Sequence, residues 1–347
     1  MCSEGIFERY INFYTDFAFK KLFGTEINKD LLISFLNALL HGREEIKDIT
    51  YLNAERLGTQ EYDRRAVFDV YCKNEKGEHF IVEMQKGEQQ FFKDRSIYYS
   101  TFAIREQAPR GIWNYGLKGI YTIGILNFTI YSDNEDFYHE VKLTDLATKE
   151  VFYDKLTFIY LEMPKFTKTE AELETLFDKW LYVIRNLATL MDRPQALQER
   201  VFTHLFEVAE IAKFDRKERY EYEESLKNYR DWFSVMETAE IKGMAKGMAK
   251  GMAEGMAKGM AKGMVEGMAK GMAKGMAKGM AEGMAKGMAE GMVKGMAEGK
   301  EIGRAEGLEI GEKRKAIETA KQMRSDGIPI ESILRYTGLT AEDIETL

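Results

Sequence analysis

Residues 65–85 read RAVFDVYCKNEKGEHFIVEMQ. Residues 65–73 and 78–85 are alternating or near-continuous apolar runs with strand character, and Glu75-Lys76-Gly77 between them has its glycine last. That is the pattern of a hairpin closed by a type I turn and a left-handed glycine. Asn74 then faces Glu78, and counting outward sets Asp69 opposite Glu83. Opposed side chains on one face of an antiparallel pair have Cβ atoms about 4.5–5.5 Å apart. Two carboxylates that close repel each other unless a cation lies between them or one takes up a proton. Val67, Phe68, Val70, Ile81 and Val82 make the surroundings apolar, where an uncompensated acid pair is costly. Period-two alternation sends Gln85 to the side of Glu83 and Met84 to the other. Oxygen donors of this kind suit Mg²⁺ or Mn²⁺ better than zinc. On an open sheet the same three side chains would simply face water.

Working outward, residues 30–40 (DLLISFLNALL) form an apolar helix stopped by Gly42, and residues 46–54 read as a strand. Residues 90–107 have helical spacing, closed by Pro109 and Gly111. Residues 118–130 read as a buried strand, with further strands at 137–143 and 156–163. The order helix, three strands, helix, strand is an α/β pattern on one central sheet. Residues 166–240 read as helices only. Thr169 and Glu172 make a capping box ahead of a stripe of Leu173, Leu176, Phe177, Trp180 and Leu181. The expected organisation is residues 1–165, a helical subdomain at 166–240, a repeat at 241–311 and a small helical element at 312–347.

From Gly243 to Gly311 a glycine falls at every fourth position, 18 in all, and 14 of the 20 Met residues follow these glycines. A helical tail of 69 residues would be roughly 100 Å long at 1.5 Å per residue. Each glycine costs about 1 kcal/mol relative to Ala in a helix, so a lone rod is unfavourable. Close packing of a small-residue face against another helix, with Met filling gaps, offsets that cost. Two readings stand: a stalk forming a homo-oligomer through residues 243–311, or a largely fluctuating product of repeat expansion. The 312–347 element has a helix-turn-helix-like order and reads as a helical end cap.

The formal charge is −7; residues 241–311 hold 12 basic and 8 acidic side chains, and the first 240 residues net −10. A sequence-blind DNA binder is usually basic, because phosphate contacts supply its affinity. Bound metal ions relax that demand. Cys2 and Cys72 indicate neither a disulfide framework nor a zinc site. No secretory leader and no membrane span are read, so the expected setting is cytoplasmic. The four His residues have no metal or triad spacing, and no phosphate-binding glycine pattern occurs.

An Asp on one strand followed by an acid-x-Lys-like triplet on the next resembles the PD-(D/E)XK nuclease superfamily. The residues are Phe68-Asp69-Val70 and Val82-Glu83-Met84-Gln85. The likeness is closest to its branch of recombination-promoting nucleases and nuclease-family transposases. That branch opens with D-x-x-F-K, matched by Asp16, Phe19 and Lys20; it carries Glu-x-Gln, then a helix with Arg and Tyr, matched by Arg95, Tyr98 and Tyr99. The resemblance covers roughly residues 10–165, and a repeat-bearing tail is common in such proteins. It implies a restriction-endonuclease-like core and a Mg²⁺- (or Mn²⁺-) dependent DNA endonuclease. Asp69 and Glu83 would hold the metal, with the Met84 carbonyl as an extra donor, and Gln85 would stand in the place of the usual Lys. Asp16 and Lys20 would be accessory, whereas Arg95 and Tyr98 read as structural. The alternative is a catalytically impaired relative that binds or assembles through its repeat.

Overall fold

The computed structural model describes residues 8–43, 45–53, 55–56, 66–89, 91–108, 111, 113–269 and 274–345. Chain contacts divide into two compact units, Met1–Tyr229 and Arg230–Leu347.

The first unit opens with helices α1 (Asp16–Phe23) and α2 (Lys29–Leu39). Thr15 caps α1, its buried hydroxyl accepting the Ala18 N–H at 3.3 Å. Strands β1 (Ile49–Tyr51), β2 (Glu55–Arg56), β3 (Ala66–Val67), β4 (Val70–Asn74) and β5 (His79–Gln85) follow, then helix α3 (Phe92–Glu106) and β6 (Ile120–Leu126). Strands β7 (Tyr138–Thr144) and β8 (Val151–Glu162) complete a six-stranded sheet ordered β1-β4-β5-β6-β8-β7. The outer pairs are antiparallel, whereas β5, β6 and β8 run parallel. Helix α3 is thus the crossover between two parallel neighbours, the connection that parallel strands require. Helices α4 (Leu176–Asn186), α5 (Arg200–Ala209) and the start of α6 (Arg216–Ala269) end the unit.

Alternation along the central strands sorts the core into two faces. Phe80, Val82, Met84, Ile123, Ile125, Ile159 and Leu161 join one large cluster with Phe19, Phe23 and Phe35 of α1 and α2 and Trp180 and Phe202 of α4 and α5. Ile81 and Ile120 lie on the other face, packed with Phe102 and Ala103 of α3. The indole N–H of Trp180 donates to Ser34 Oγ at 3.1 Å, so the buried ring is hydrogen-bonded.

The mixed α/β architecture around one six-stranded sheet agrees with the sequence expectation, a separate two-stranded pair β2-β3 was not expected, and several bounds are corrected. The expected strand 65–73 is broken: β3 pairs with β2, Phe68 and Asp69 form a bend, and only β4 joins the main sheet. The expected strand 118–130 stops at Leu126: Asn127 N–H donates the last rung to the Gln85 carbonyl at 2.9 Å, and the chain bends away from there. Strand β8 begins five residues before the expected start, its first half forming an exposed ribbon with β7 on which Val151 and Phe152 lie open to solvent. Thr169 and Glu172 do form a capping box, but around a single 3₁₀ turn. The helix behind it starts later, under a second box between Thr175 and Asp178, and Leu173 falls outside it. Gln90 and Pro109 lie outside the described residues.

In the second unit the remainder of α6 and helix α7 (Lys274–Ser325) carry the repeat, followed by α8 (Ile330–Thr337) and α9 (Ala341–Glu345). The glycines of α6 face those of α7. A Cβ added at Gly251 would lie 2.8 Å from Gly295 Cα, and Gly243, Gly247, Gly255, Gly259 and Gly263 each meet α7 backbone at under 3.0 Å. The small-residue face that seemed to await another chain is therefore covered by the chain's own second arm. Ion pairs cross the hairpin from Lys246 to Glu306 at 3.8 Å and from Lys300 to Glu240 at 3.2 Å. Ala320, Ile333, Leu339 and Ile344 form a small core at the end of α7.

Candidate active site

The hairpin between β4 and β5 has the register expected from its turn. Gly77 takes φ +81, Asn74 N–H donates to the Glu78 carbonyl at 3.0 Å, and Val70 pairs with Val82. Extending that ladder by one residue sets Asp69 across from Glu83. Asp69 sits at the bend, half-buried, while Glu83 and Gln85 are only 8% and 6% exposed.

The two acids do not merely confront each other. Met84 N–H donates to Asp69 Oδ2 at 2.8 Å, and Asp69 N–H donates to Glu83 Oε1 at 3.2 Å. Each carboxylate is thus anchored on backbone of the opposite strand. Gln85 Nε2 donates to Glu83 Oε2 at 3.3 Å, and Gln85 Oε1 accepts from Arg95 Nη2 at 2.8 Å. The Arg95 guanidinium also donates to Gln89 and lies 5.6 Å from the centre of the Tyr99 ring. A pocket between α3 and the sheet is lined by Glu83, Gln85, Arg95, Ser96, Tyr99 and Tyr160 among others. Gly124 on β6, paired with Glu83, forms part of its wall. A Cβ at Gly124 would lie 3.1 Å from the Tyr160 ring and 3.5 Å from that of Phe92, so the missing side chain is what lets these rings close there. Burial raises the Tyr99 phenol above its ordinary pKa; Arg95 lowers it, and Glu83 and Asp69 add to the rise. Tyr99 therefore remains a neutral hydrogen-bonding group at neutral pH.

Asp69, Glu83 and Gln85 are brought together. Asp16 reaches the same strand end indirectly, through an ion pair of Oδ1 with Lys86 Nζ at 3.2 Å, one residue past Gln85. Lys20 lies exposed on α1, and among the described residues no hydrogen bond or ion pair joins it to the carboxylates. Tyr98 is 41% exposed and packs edge-on against Phe102. Arg95, read as structural, lies beside Gln85, because the crossover carries α3 back over the strand that holds Glu83. Four-residue spacing puts Arg95 and Tyr99 on one side of that helix, and this was the available signal. Ser96, Tyr160, Gly124 and Lys86 were missed, since none carries a motif. His79 stacks on Tyr71 at 5.8 Å, toward the far end of β5. Burial pushes the Cys72 thiol up to about 12, so it stays protonated and unreactive.

Among the described residues no group of three or more His, Cys, Asp or Glu gathers as a metal cage. A pair of carboxylates is nevertheless what Mg²⁺ uses when water and substrate phosphate complete its octahedron. An ionised carboxylate offers about four lone-pair positions, enough to accept hydrogen bonds and ligate an ion together. The residues present fit a divalent ion of that kind.

A mixed sheet with helices on both faces, an acid at the bend entering one strand and Glu-x-Gln on the next define a nuclease-type α/β core. The profile described as PD-(D/E)XK nuclease family transposase matches residues 13–239. The chain belongs to this family, which implies a nuclease or transposase role, DNA as substrate and, in general, a divalent metal. No curated protein and no solved structure matches the chain. Among the described residues no helix is long and apolar enough to cross a membrane.

Proposed function

We propose that the protein is a Mg²⁺- or Mn²⁺-dependent DNA endonuclease that hydrolyses phosphodiester bonds at the Asp69–Glu83 pair. The observation that carries this reading is the interlocking of the two acids, each held by an amide of the opposite strand at 2.8 and 3.2 Å. That arrangement fixes two negative groups side by side, with Glu83 lining the pocket. A bound divalent ion would supply Lewis acidity at the scissile phosphate and a lowered pKa for the attacking water.

The chain's own residues do the rest. Asp69 and Glu83 hold the ion, with the Met84 carbonyl as a further donor. Gln85 orients Glu83 through its amide nitrogen and can accept or donate to a water beside it. Preorganised groups of this kind act strongly because they need no reorientation during reaction. Asp16 is accessory in holding Lys86 at the strand end, and Lys20 on the exposed face of α1 is a candidate phosphate contact. The reading places the enzyme in the cytoplasm, acting on DNA in transposition or recombination. Association of copies through residues 243–311 would require the α6–α7 hairpin to open or to use its outer face.

Gln85, standing where Lys is usual, favours a second reading, a catalytically impaired relative that binds or assembles through its repeat. Nicking of supercoiled plasmid separates the two. The intact chain should nick in Mg²⁺ or Mn²⁺ and stop in chelator, and Asp69→Ala should remain inactive in every buffer. Indistinguishable traces for both proteins would remove the enzyme reading.

A further inference from the structure

The pocket beside Glu83 presents one cationic side chain among its lining residues, Arg95. Its guanidinium is half-buried and held by two neutral amides, Gln85 at 2.8 Å and Gln89. Among the described residues it makes no ion pair, unlike Arg9, Arg43 and Lys165 elsewhere in the same unit. A partly desolvated cation without a counter-ion normally finds one. Here the Gln85 amide stands between Arg95 and Glu83, its nitrogen donating to Glu83 Oε2 at 3.3 Å.

Arg95 has five N–H donors in a planar fork that matches phosphate oxygens two at a time. Two are taken by the amides, and the others remain for an incoming anion. The two acids cannot stabilise negative charge developing on a phosphodiester, and Gln85 has no charge to offer. We propose that Arg95 is the phosphate-binding cation of this centre, contacting the scissile phosphodiester directly while Gln85 spaces it from Glu83. An amide at position 85 then has a physical reason: an ammonium there would meet the guanidinium at contact distance, with like charges repelling. The cation has moved from strand to helix, and the amide bridges it to the acid. This assignment rests on the nuclease reading above.

Four proteins test it: the intact chain, Arg95→Gln, Arg95→Lys and the double variant Gln85→Lys/Arg95→Gln, with Asp69→Ala as control. Single-turnover plasmid nicking in Mg²⁺ should fall by about 10²–10³ in Arg95→Gln, the usual loss for one preorganised donor. Arg95→Lys should keep part of the rate, and the double variant should recover at least about tenfold over Arg95→Gln, because the charge returns from the strand. A second readout needs no metal: binding of a duplex oligonucleotide in EDTA. Its logarithmic salt slope should drop by about one in Arg95→Gln and stay unchanged in Arg95→Lys. Arg95→Gln nicking at the rate of the intact chain, with Asp69→Ala inactive, would overturn this assignment and leave the nuclease reading in place. A melt lowered in both Arg95 variants, with no recovery in the double variant, would overturn it by making Arg95 a tether for α3. No nicking by the intact chain would remove the nuclease reading and this assignment together, and only that result touches both.

Discussion

Asp69 and Glu83 are cross-anchored: the acid on one strand accepts an amide one residue beyond the acid on the other, and the reverse bond comes from Asp69's own N–H. The distances are 2.8 Å from Met84 N to Asp69 Oδ2 and 3.2 Å from Asp69 N to Glu83 Oε1. Each hydrogen bond favours the charged form of its acceptor and offsets part of the repulsion between the two. The pair is thereby held side by side and aimed before any cation arrives.

Asp69→Asn keeps an oxygen that can accept from Met84 N–H but removes one of two facing charges. Cleavage should be lost, while the melting temperature in chelator should stay the same or rise slightly as repulsion is relieved. Differential scanning calorimetry in EDTA checks it. A fall of about 3 kcal/mol, on the scale of breaking a buried charged network, would make Asp69 a structural residue instead.

Gln85→Lys is expected to behave unlike a simple restoration of an acid-x-Lys pattern. Its ammonium would arrive where the amide oxygen now accepts from Arg95 at 2.8 Å. Single-turnover cleavage should drop in the single variant, and Gln85→Ala should lose about 10²–10³ with metal affinity nearly unchanged. A Gln85→Lys protein faster than the intact chain would contradict the repulsion argument.

Glu162, at the end of β8, is fully buried and accepts from the backbone N–H of Ile130 and Tyr131 at 3.0 and 3.1 Å, with Lys165 Nζ at 2.6 Å. Glu162→Ala strands both amides and the lysine. The loss should be about 3–5 kcal/mol, measured by urea unfolding. A change below about 1 kcal/mol, the scale of an exposed pair, would show that water already reaches this cluster.

Asp178 caps α4. Burial works to raise its pKa, but the Lys168 ion pair and the hydrogen bonds from Thr175 outweigh burial and hold it below the ordinary carboxylate value. A folded-state pKa below the unfolded one contributes stability above the unfolded value, and that contribution disappears as pH falls through the folded one. Asp178→Asn should therefore cost about 1 kcal/mol at pH 7, typical of a lost cap. Its melting temperature should also depend less on pH below about 4. Parallel melts from pH 7 to 2 test this, and identical pH slopes would contradict it.

The glycine hairpin leaves no room for side chains. Gly251→Val with Gly291→Val should force α6 and α7 apart, because each Cβ would meet opposing backbone at under 3.0 Å. Circular dichroism should show helix loss, since glycine-rich arms are poor helices alone, with metal-dependent nicking retained. Unchanged helicity would mean that the arms do not depend on each other.

The sequence made the site hairpin legible because a three-residue turn ending in glycine fixes register, and register fixes which side chains oppose. The same reasoning overran at Phe68 and Asp69, where an apolar run continues through a bend that side-chain pattern does not encode. Helix α3 was visible by period, but its placement over Glu83 follows from the parallel β5–β6 pairing, a long-range fact. Arg95 therefore matches the family's Arg-and-Tyr helix in the sequence yet reads there as structural. In the tail, period four announced a close-packed glycine face, yet nothing in a repeat of near-identical units distinguishes a partner chain from the same chain folded back.

The central claim is that Asp69 and Glu83 together hold one divalent ion. Anomalous scattering from Mn²⁺ soaked into crystals of the intact chain tests it most directly. The account predicts one strong peak about 2.0–2.6 Å from an oxygen of each carboxylate, within the reach of hard-cation coordination. A strong peak elsewhere, with none between these two residues, would contradict it.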